Sequence, residues 1–341
     1  SRRAEALPRT ASTGVGWARR GSIVRRIATP APSLVYRPPV ARTVLTLDDF
    51  SPEAEGLRAV FDDRFADPRS TRGDRFQWDW WHVPGQYTAL RTPAWTYFPK
   101  PIYTRFHKRL VQWGRDNLGC HDISPPWLSC YVDGCVQHLH GDLPHGPWAF
   151  VFSLTRWKER VFRGGETVML RDEVLDFWSG FESVRGVEEP DVLRAIAPRF
   201  GRLVAFDPRI PHGVREVRGT HDPREGRLVI HGWFVQPKPV VVGPLRDADL
   251  RRRVDGLSEA IMGRLVGDLP IAGLLSLGFR VSAKGAVTAV TVLSDNTRVP
   301  AADERARRRF VAAVRRHIEA WDFPAQTGAS RVTLPLTFAT G

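Results

Sequence analysis

The chain has 341 residues, of which 42% are hydrophobic and 10% aromatic, and it contains twelve tryptophans. This composition excludes a globally disordered protein and suits one large domain with a smaller one beside it. The formal net charge of +13 is concentrated in residues 1–42, which hold nine arginines, no lysine and one glutamate. Because the remaining 299 residues carry only +5, charge alone gives little support for a nucleic-acid-binding protein.

The N-terminal residues 1–42 are basic and proline-rich, and we expect them to form a disordered tail. They lack the apolar stretch of a secretory signal, but an organellar transit peptide has a similar acid-poor composition and remains an alternative. An odd number of cysteines (Cys120, Cys130 and Cys135) argues against a disulfide scaffold. No apolar run approaches the roughly 20 residues of a membrane span. We therefore expect a cytoplasmic protein without a membrane span.

Two helices are predicted before residue 128. Ser51-Pro52 is typical of a helix start, with a capping residue followed by proline in the first turn. The second helix follows Pro101, where apolar residues recur at helical spacing. The aromatic stretch 76–99 between them is expected to be core, with a substrate-facing wall as the less favoured alternative.

Short apolar or alternating runs then predict strands of a sandwich or barrel. These runs cover residues 128–132, 148–155, 166–170, 202–206 and 228–235. An insertion at about 171–198 interrupts them and is expected to be loop with a short helix.

The remaining chain predicts a second, smaller unit. Residues 237–244 are typical of a linker or edge segment, and an amphipathic helix follows within 244–269. Residues 270–341 predict a strand, a turn at Lys284-Gly285, a strand, a helix and a strand. The helix carries Arg305, Arg307, Arg308, Arg309, Arg315 and Arg316. We expect these to form a solvated basic face, because the interleaved aromatics of single-strand nucleic-acid binders are missing.

Candidate metal ligands occur in two distant segments. His140 and Asp142 are two residues apart, so on a strand both side chains would point to the same face. His212 lies 70 residues after Asp142 and could supply a third ligand from a second strand. Two imidazoles and a carboxylate form the facial set that leaves positions open on Fe(II). Flanking His138 and His145 are expected not to bind the metal.

A candidate anion-binding residue follows fifteen residues after His212. Arg227 begins the run RLVIHGWF, in which Arg227, Val229, His231 and Trp233 would share one strand face. A guanidinium matches a carboxylate in a planar fork, which suits a dicarboxylate co-substrate near a ferrous site. The alternative is a surface ion pair between Arg227 and an acidic residue such as Glu225 or Glu216.

These segments, in this order, resemble the 2-oxoglutarate/Fe(II) oxygenase superfamily, and most of all its prolyl-hydroxylase-like branch. The matching motifs are CYVDG, HGD, SLTRW, GGETVML, GRLVAFDPRIPHGVREV and RLVIHGWF, which lie between residues 128 and 235. The resemblance implies an α+β protein whose core is a double-stranded β-helix, or jelly-roll, with N-terminal supporting helices. It predicts an oxygenase domain at 43–243 with its core at 128–235, a linker helix at 244–269, and a small ββαβ domain at 270–341.

By matching position, the resemblance implies that His140, Asp142 and His212 bind the iron and act as the catalytic set. Arg227 would bind the distal carboxylate of 2-oxoglutarate. Tyr131 would help to hold this co-substrate, with a purely structural core tyrosine as the alternative, and His231 would touch it or support Arg227. The implied cofactors are Fe(II), 2-oxoglutarate and O2, with ascorbate as an optional addition. The implied reaction hydroxylates a C–H bond and releases succinate and CO2.

Residues 275–339 resemble TonB-type and AgmX/PglI-type C-terminal domains, which implies an interaction module that binds a protein partner. Together with the prolyl-hydroxylase-like motifs, this favours a protein or peptide side chain as the substrate. A small natural product or a free amino acid is the main alternative. A metal-dead binding scaffold and a nucleic-acid demethylase rank lower, and nucleic acid is not an expected partner.

Overall fold

The computed structural model describes residues 43–67, 78–142, 145–171, 174, 188–261 and 269–338. The basic tail and most of the insertion predicted at 171–198 lie outside these ranges. Within them, every helix is too short or too polar to cross a membrane.

The N-terminal half supplies two main helices and four strands. The helices are Ala54–Phe65 and Lys100–Leu118, with a single turn of helix at Ala94–Tyr97. The strands are β1 (Val44–Leu47), β2 (Asp79–Val83), β3 (Tyr87–Pro93) and β4 (Cys120–Ile123). The long helix begins beside Pro101, as the sequence predicted, and ends where Gly119 adopts a left-handed conformation with φ of 68°.

Eight further strands form a jelly-roll. They are β5 (Trp127–Tyr131), β6 (Val136–His140), β7 (Trp148–Ser153), β8 (Thr167–Leu170), β9 (Leu193–Ile196), β10 (Leu203–Phe206), β11 (His212–Val214) and β12 (Arg227–Pro237). All pair antiparallel, in two sets of four ordered β10-β7-β12-β5 and β6-β11-β8-β9. Strand β3 pairs with both β5 and β6 and so joins the two sets. The predicted jelly-roll core is confirmed.

The helices cover one face of the first set because its strands alternate. Leu228, Ile230 and Phe234 of β12 are fully buried in the same apolar cluster as Phe106 and Leu110 of the long helix. The residues between them in the sequence point to the opposite face, which lines a pocket. The alternation therefore separates a helix-covered core from an interior that lines the pocket.

The predicted strand order after residue 270 is found in a second sheet. It contains β13 (Val240–Val242), β14 (Gly273–Val281), β15 (Val287–Asp295) and β16 (Ser330–Phe338), in the order β13-β16-β14-β15. The helices Asp247–Ala260 and Glu304–Glu319 supply apolar residues to a core of its own.

This second sheet packs closely on the jelly-roll. Leu274 of β14 belongs to the jelly-roll core cluster, and Ser276 Oγ donates to the Leu118 carbonyl over 2.7 Å. Arg331 pairs with Asp116 at 3.1 Å. These contacts tie the C-terminal segment to the end of the long helix.

Two expectations about side chains are wrong. Arg307 does not belong to a solvated basic face: it is 1% exposed and pairs with Asp295 at 2.7 Å, because β15 brings that carboxylate under the helix. The aromatic stretch is not uniformly core either, since Trp80 is 58% and Trp95 43% exposed. The three cysteines are free and buried, as expected without a disulfide scaffold.

Candidate metal centre

The three candidate ligands meet where β6 ends and β11 begins. His140 is the last residue of β6, and His212, the first residue of β11, is its direct partner in the antiparallel register. The sequence predicted Asp142 on the same strand as His140, but Asp142 lies just beyond the end of β6. Its backbone N–H donates to the Pro208 carbonyl over 3.0 Å, which fixes the turn that returns the carboxylate to the histidines.

The three side chains are close enough to share one ion. The Nε2 atom of His212 lies 3.2 Å from Oδ2 of Asp142, and Nε2 of His140 lies 3.4 Å from Oδ1. One ligand atom from each residue can be chosen so that all three lie within 4.8 Å of one another. The structure thus brings together residues that are 70 positions apart in the sequence.

Backbone carbonyls fix the orientation of both imidazoles. His140 Nδ1 lies 2.8 Å from the His138 carbonyl, and His212 Nδ1 lies 2.8 Å from the Ile210 carbonyl. A carbonyl oxygen only accepts, so each Nδ1 carries the proton and each Nε2 keeps its lone pair for a metal. Such hydrogen bonds accompany metal-binding histidines and set their tautomer. The donor set therefore fits a divalent transition metal.

The electrostatics of the cluster keep the carboxylate charged. Burial alone would raise the pKa of Asp142, but its close contacts with the imidazoles of His140 and His212 hold that pKa well below its usual range. Burial likewise opposes protonation of His140, yet its contacts with Asp142 and the His138 carbonyl raise its pKa. An ionised carboxylate between two imidazoles is the charge state that a metal ion requires.

Arg227 lies at the start of β12 and lines the same pocket. It is 1% exposed, which excludes the surface ion pair considered from sequence; Glu225 instead accepts from Thr220, and Glu216 from Arg218. Its Nη2 atom donates to Thr167 Oγ1 over 3.2 Å. Its Nε and Nη1 atoms are buried and have no hydrogen-bond partner among the described residues.

Such orphaned donors are costly in a folded protein and call for an explanation by an unseen group. Burial lowers the pKa of Arg227, while nearby Tyr131 and Glu166 act to raise it. The side chain remains a cation because guanidinium does not lose its proton in proteins. A buried cation with two free donors fits a carboxylate of a bound co-substrate.

Tyr131 supports Arg227 directly. Its ring lies under the guanidinium, 4.6 Å from ring centroid to Cζ, and its hydroxyl is 3.4 Å from Gln137 Oε1. Gln137 in turn contacts His140 through its amide nitrogen at 3.1 Å. This chain of contacts connects the candidate anion-binding residue with the candidate ligands. Sequence reasoning missed Thr167 and Gln137, which offer no distinctive signal outside the fold.

His231 lies on the pocket face of β12, where Val229 separates it from Arg227. It makes a 2.8 Å hydrogen bond with Ser129 of the neighbouring strand. Burial, reinforced by the charges of Arg91 and Arg227, lowers the pKa of His231 to about 3. His231 is therefore neutral near neutral pH and adds no further positive charge to the pocket.

The remaining two histidines near the site make no ligand contact with the cluster. The His138 side chain is exposed, and only its backbone carbonyl contacts the cluster. His145 is exposed, and its ring lies against Trp233 with 4.5 Å between centroids. The expectation that neither binds the metal remains a prediction.

The pocket has a volume of about 340 Å³ and lies between the two sets of jelly-roll strands. One wall carries the metal-ligand candidates with Thr167, and the other carries Arg227, Val229 and His231. The volume is large enough for a small dicarboxylate, and the lining includes both the candidate metal ligands and Arg227.

Comparison with known proteins agrees with this geometry. Residues 126–235 match the family model of the 2OG-Fe(II) oxygenase superfamily, whose cofactors are Fe(II) and 2-oxoglutarate. The match covers about a third of the chain and includes the three candidate ligands and Arg227. Residues 275–339 lie outside it, so their resemblance to TonB-type domains stays a prediction. No curated protein matches the chain.

Several solved structures are similar to the chain. A prolyl-4-hydroxylase from Pseudomonas putida is 16% identical, covering 57% of this chain and 92% of its own, with a TM-score of 0.40. A prolyl hydroxylase from Trichoplax adhaerens, in complex with a hypoxia inducible factor peptide fragment, is 15% identical. The alignment covers 57% of this chain and 84% of that hydroxylase, with a TM-score of 0.37. HygX from Streptomyces hygroscopicus, with nickel and 2-oxoglutarate bound, is 15% identical. The alignment covers 55% of this chain and 81% of HygX, with a TM-score of 0.37.

Proposed function

We propose, from the membership of residues 126–235 in the 2OG-Fe(II) oxygenase superfamily, that this protein is a 2-oxoglutarate-dependent hydroxylase. Its Fe(II) is held by His140, Asp142 and His212, and the distal carboxylate of 2-oxoglutarate is held by Arg227. The observation that carries the proposal is the pair of buried, unpartnered nitrogens of Arg227 in the pocket that contains the ligand cluster.

When bound at these residues, Fe(II) would supply the chemistry by which O2 and 2-oxoglutarate hydroxylate a C–H bond, with one oxygen atom entering the substrate, the other entering succinate, and CO2 released. The protein supplies two neutral Nε2 donors and one carboxylate on one side, which leaves the other side free for co-substrate and O2. Tyr131 and Thr167 hold the guanidinium of Arg227 in place, so that the co-substrate is bound in one orientation.

The substrate side of the proposal favours a protein or peptide side chain, with prolyl residues first, as the motif resemblance implies. Exposed Trp80 and Trp81 lie on β2, beside β3, whose Tyr87 and Arg91 line the pocket. An apolar surface that extends outward from a pocket suits a substrate larger than the pocket itself. A small natural product or a free amino acid remains the alternative substrate class.

The domain division at residues 43–243, 244–269 and 270–341 is part of this proposal. The proposal also includes a role for residues 270–341 in binding a protein partner.

The test is anaerobic reconstitution of the full chain with Fe(II) and 2-oxoglutarate, followed by exposure to O2. We expect a visible charge-transfer band on 2-oxoglutarate binding, and succinate release that requires both components. Lysate peptides incubated with the enzyme should gain one oxygen atom, detected by mass spectrometry. Absence of both the band and succinate release, with ascorbate present, would contradict the proposal.

A further inference from the structure

A second arginine lines the pocket and has no role in the proposed iron and 2-oxoglutarate sites. Arg91 lies on β3, directly across from Ser129 of β5, and its side chain shares the pocket with Arg227 and the ligand cluster. Its guanidinium lies over two aromatic rings, 5.0 Å from the Tyr87 centroid and 5.7 Å from that of Trp81. The rings fix the plane of the guanidinium and leave its edge for a hydrogen-bonding partner.

No such partner is found among the residues that the structure describes. The Nε atom of Arg91 is buried and makes no hydrogen bond with a described residue, and no described carboxylate lies within ion-pair distance of the side chain. Among the described residues that line the pocket, each other charge would have a local counterpart once Fe(II) and 2-oxoglutarate were bound as proposed. Asp142 and one carboxylate of 2-oxoglutarate would offset Fe(II), and the distal carboxylate would offset Arg227. Arg91 would be the one cation of these described lining residues without a counterpart.

The two arginines also differ in depth. Arg227 is 1% exposed at the inner end of the pocket, whereas Arg91 is partly exposed and stacks on Trp81, which is itself 36% exposed. With 2-oxoglutarate held at Arg227, as proposed above, the outer part of the pocket beside Arg91 remains available to a substrate. The planar fork of a guanidinium is matched to a carboxylate.

We propose that Arg91 binds a carboxylate of the substrate, so that the enzyme acts on an organic acid. This carboxylate belongs either to a free amino acid or to an acidic residue or C-terminus of a peptide. The inference rests on the proposed function and narrows its substrate class. It identifies Arg91 as a specificity-determining residue, with Trp81 and Tyr87 as the rings that position its guanidinium.

The experiment measures succinate release by the full chain, with Fe(II) and 2-oxoglutarate, in the presence of a panel of matched pairs. The panel holds the free L-amino acids with their primary amides, and short peptides containing proline next to aspartate or asparagine. We expect acids to raise turnover and their amides to fail. The free-acid and peptide members distinguish the two sources of the carboxylate.

Arg91→Gln should raise the KM for the active acids at least tenfold, and Arg91→Lys should raise it less. Arg252→Gln, which alters an exposed helix arginine, is the matched control and should behave as the wild type. Thermal stabilisation by Ni(II) and N-oxalylglycine reports whether each variant folds and assembles the inner site. Calorimetry on protein loaded with these two compounds should show that affinity for the acids falls from wild type to Arg91→Lys to Arg91→Gln.

Equal stimulation by acids and amides overturns the proposal, and so does an unchanged KM in a folded Arg91→Gln protein. Turnover of 2-oxoglutarate that no acid in the panel raises also overturns it, while leaving the proposed function intact. Absence of any 2-oxoglutarate turnover in the wild type is the different result that rejects the proposed function as well.

Discussion

Arg298, in the segment that follows β15, donates from Nε to the Asp207 carboxylate over 3.2 Å. Asp207 is fully buried and also accepts two hydrogen bonds from the side chain of Arg209, at 2.9 and 2.7 Å. It begins the turn that leads to His212, and the Pro208 carbonyl of that turn accepts from the backbone of Asp142. The second sheet therefore contacts the turn that supports two of the three candidate ligands.

Asp207→Asn should lower metal affinity without removing a ligand. The substitution keeps the shape but removes the charge that holds Arg209 and Arg298, so the turn before His212 loses its fixed position. Changes to groups that orient metal ligands cost roughly 10- to 100-fold in affinity. Competition with a chromophoric chelator for Ni(II) measures the effect.

Arg331→Ala is the control for this network. It breaks a solvent-exposed ion pair with Asp116 between the same two parts of the chain, away from the turn. Exposed pairs contribute about 0–1 kcal/mol, so stability should fall slightly and metal affinity should not change. If Asp207→Asn and Arg331→Ala lower the affinity for Ni(II) equally, the contacts of Asp207 do not act specifically on the metal ligands.

Asp142→Ala should abolish metal-dependent turnover and leave the fold intact. The residue lies in a turn beyond β6 and is not part of an apolar cluster, so its loss removes the charged ligand without opening the core. Circular dichroism should stay unchanged, while Ni(II) stoichiometry falls. His82→Ala, at an exposed histidine of β2, should keep full stoichiometry, and loss of metal there would show that other histidines take part.

His231 should make the folded protein sensitive to acid. Its pKa is about 3 in the folded protein, below the ordinary value of 6.5, so between these values only the unfolded chain takes up the proton. The contribution of His231 to the free energy of unfolding is fully present above about pH 6.5 and is lost as the pH falls toward 3. The slope is at most about 1.4 kcal/mol for each pH unit.

Urea unfolding of the metal-free protein at pH 7 and pH 5 tests this expectation. His231→Gln retains an amide that can reach Ser129 but does not titrate, so its loss of stability between the two pH values should be smaller than that of the wild type. His82→Gln should leave the wild-type difference in place. Equal pH dependence in wild type and His231→Gln would mean that His231 takes up its proton without unfolding.

The jelly-roll and the candidate metal ligands could be predicted from the sequence because local patterns specify them. Alternation in RLVIHGWF assigns Leu228 and Ile230 to one face and Arg227 to the other, and the observed sheet has that arrangement. The ligand set was recognisable because its spacing and residue types are restricted by metal chemistry. Asp142 still differs in detail, since it lies in the turn after the strand.

Residues whose environment comes from distant segments were not predictable in this way. Arg307 lies in a run of arginines typical of a solvated helix, and its burial depends on Asp295 arriving from β15. Arg91 sits in an ordinary strand, and its position in the pocket depends on the register between β3 and β5. Asp207 and Arg298 meet only because the second sheet packs on the jelly-roll. Local propensity carries no information about such pairings.

Arg227 and Arg307 are both buried arginines, and their replacement by methionine should have opposite effects on the protein without ligands. Arg307 pairs with Asp295 and Glu304, each at 2.7 Å, so Arg307→Met leaves buried carboxylate charge without its partner. A loss of about 3–5 kcal/mol of unfolding free energy is expected. Arg227 has two unpartnered nitrogens, and Arg227→Met removes a desolvated charge while keeping the volume of the side chain. The ligand-free variant should gain on the order of 1 kcal/mol.

Addition of Ni(II) and 2-oxoglutarate should reverse the stability order of Arg227→Met and wild type, so that the wild-type protein becomes the more stable one. The unfolding free energy of the wild-type protein rises with the logarithm of the ligand concentration relative to Kd, while Arg227→Met, without the cation for the distal carboxylate, should gain little from 2-oxoglutarate. The metal alone should stabilise both to the same extent, because the ligand set is unchanged. Thermal unfolding with metal, and with metal plus 2-oxoglutarate, separates these contributions. A ligand-free Arg227→Met protein less stable than wild type would show that Arg227 supports the fold, and undiminished stabilisation by 2-oxoglutarate would assign the distal carboxylate to another residue.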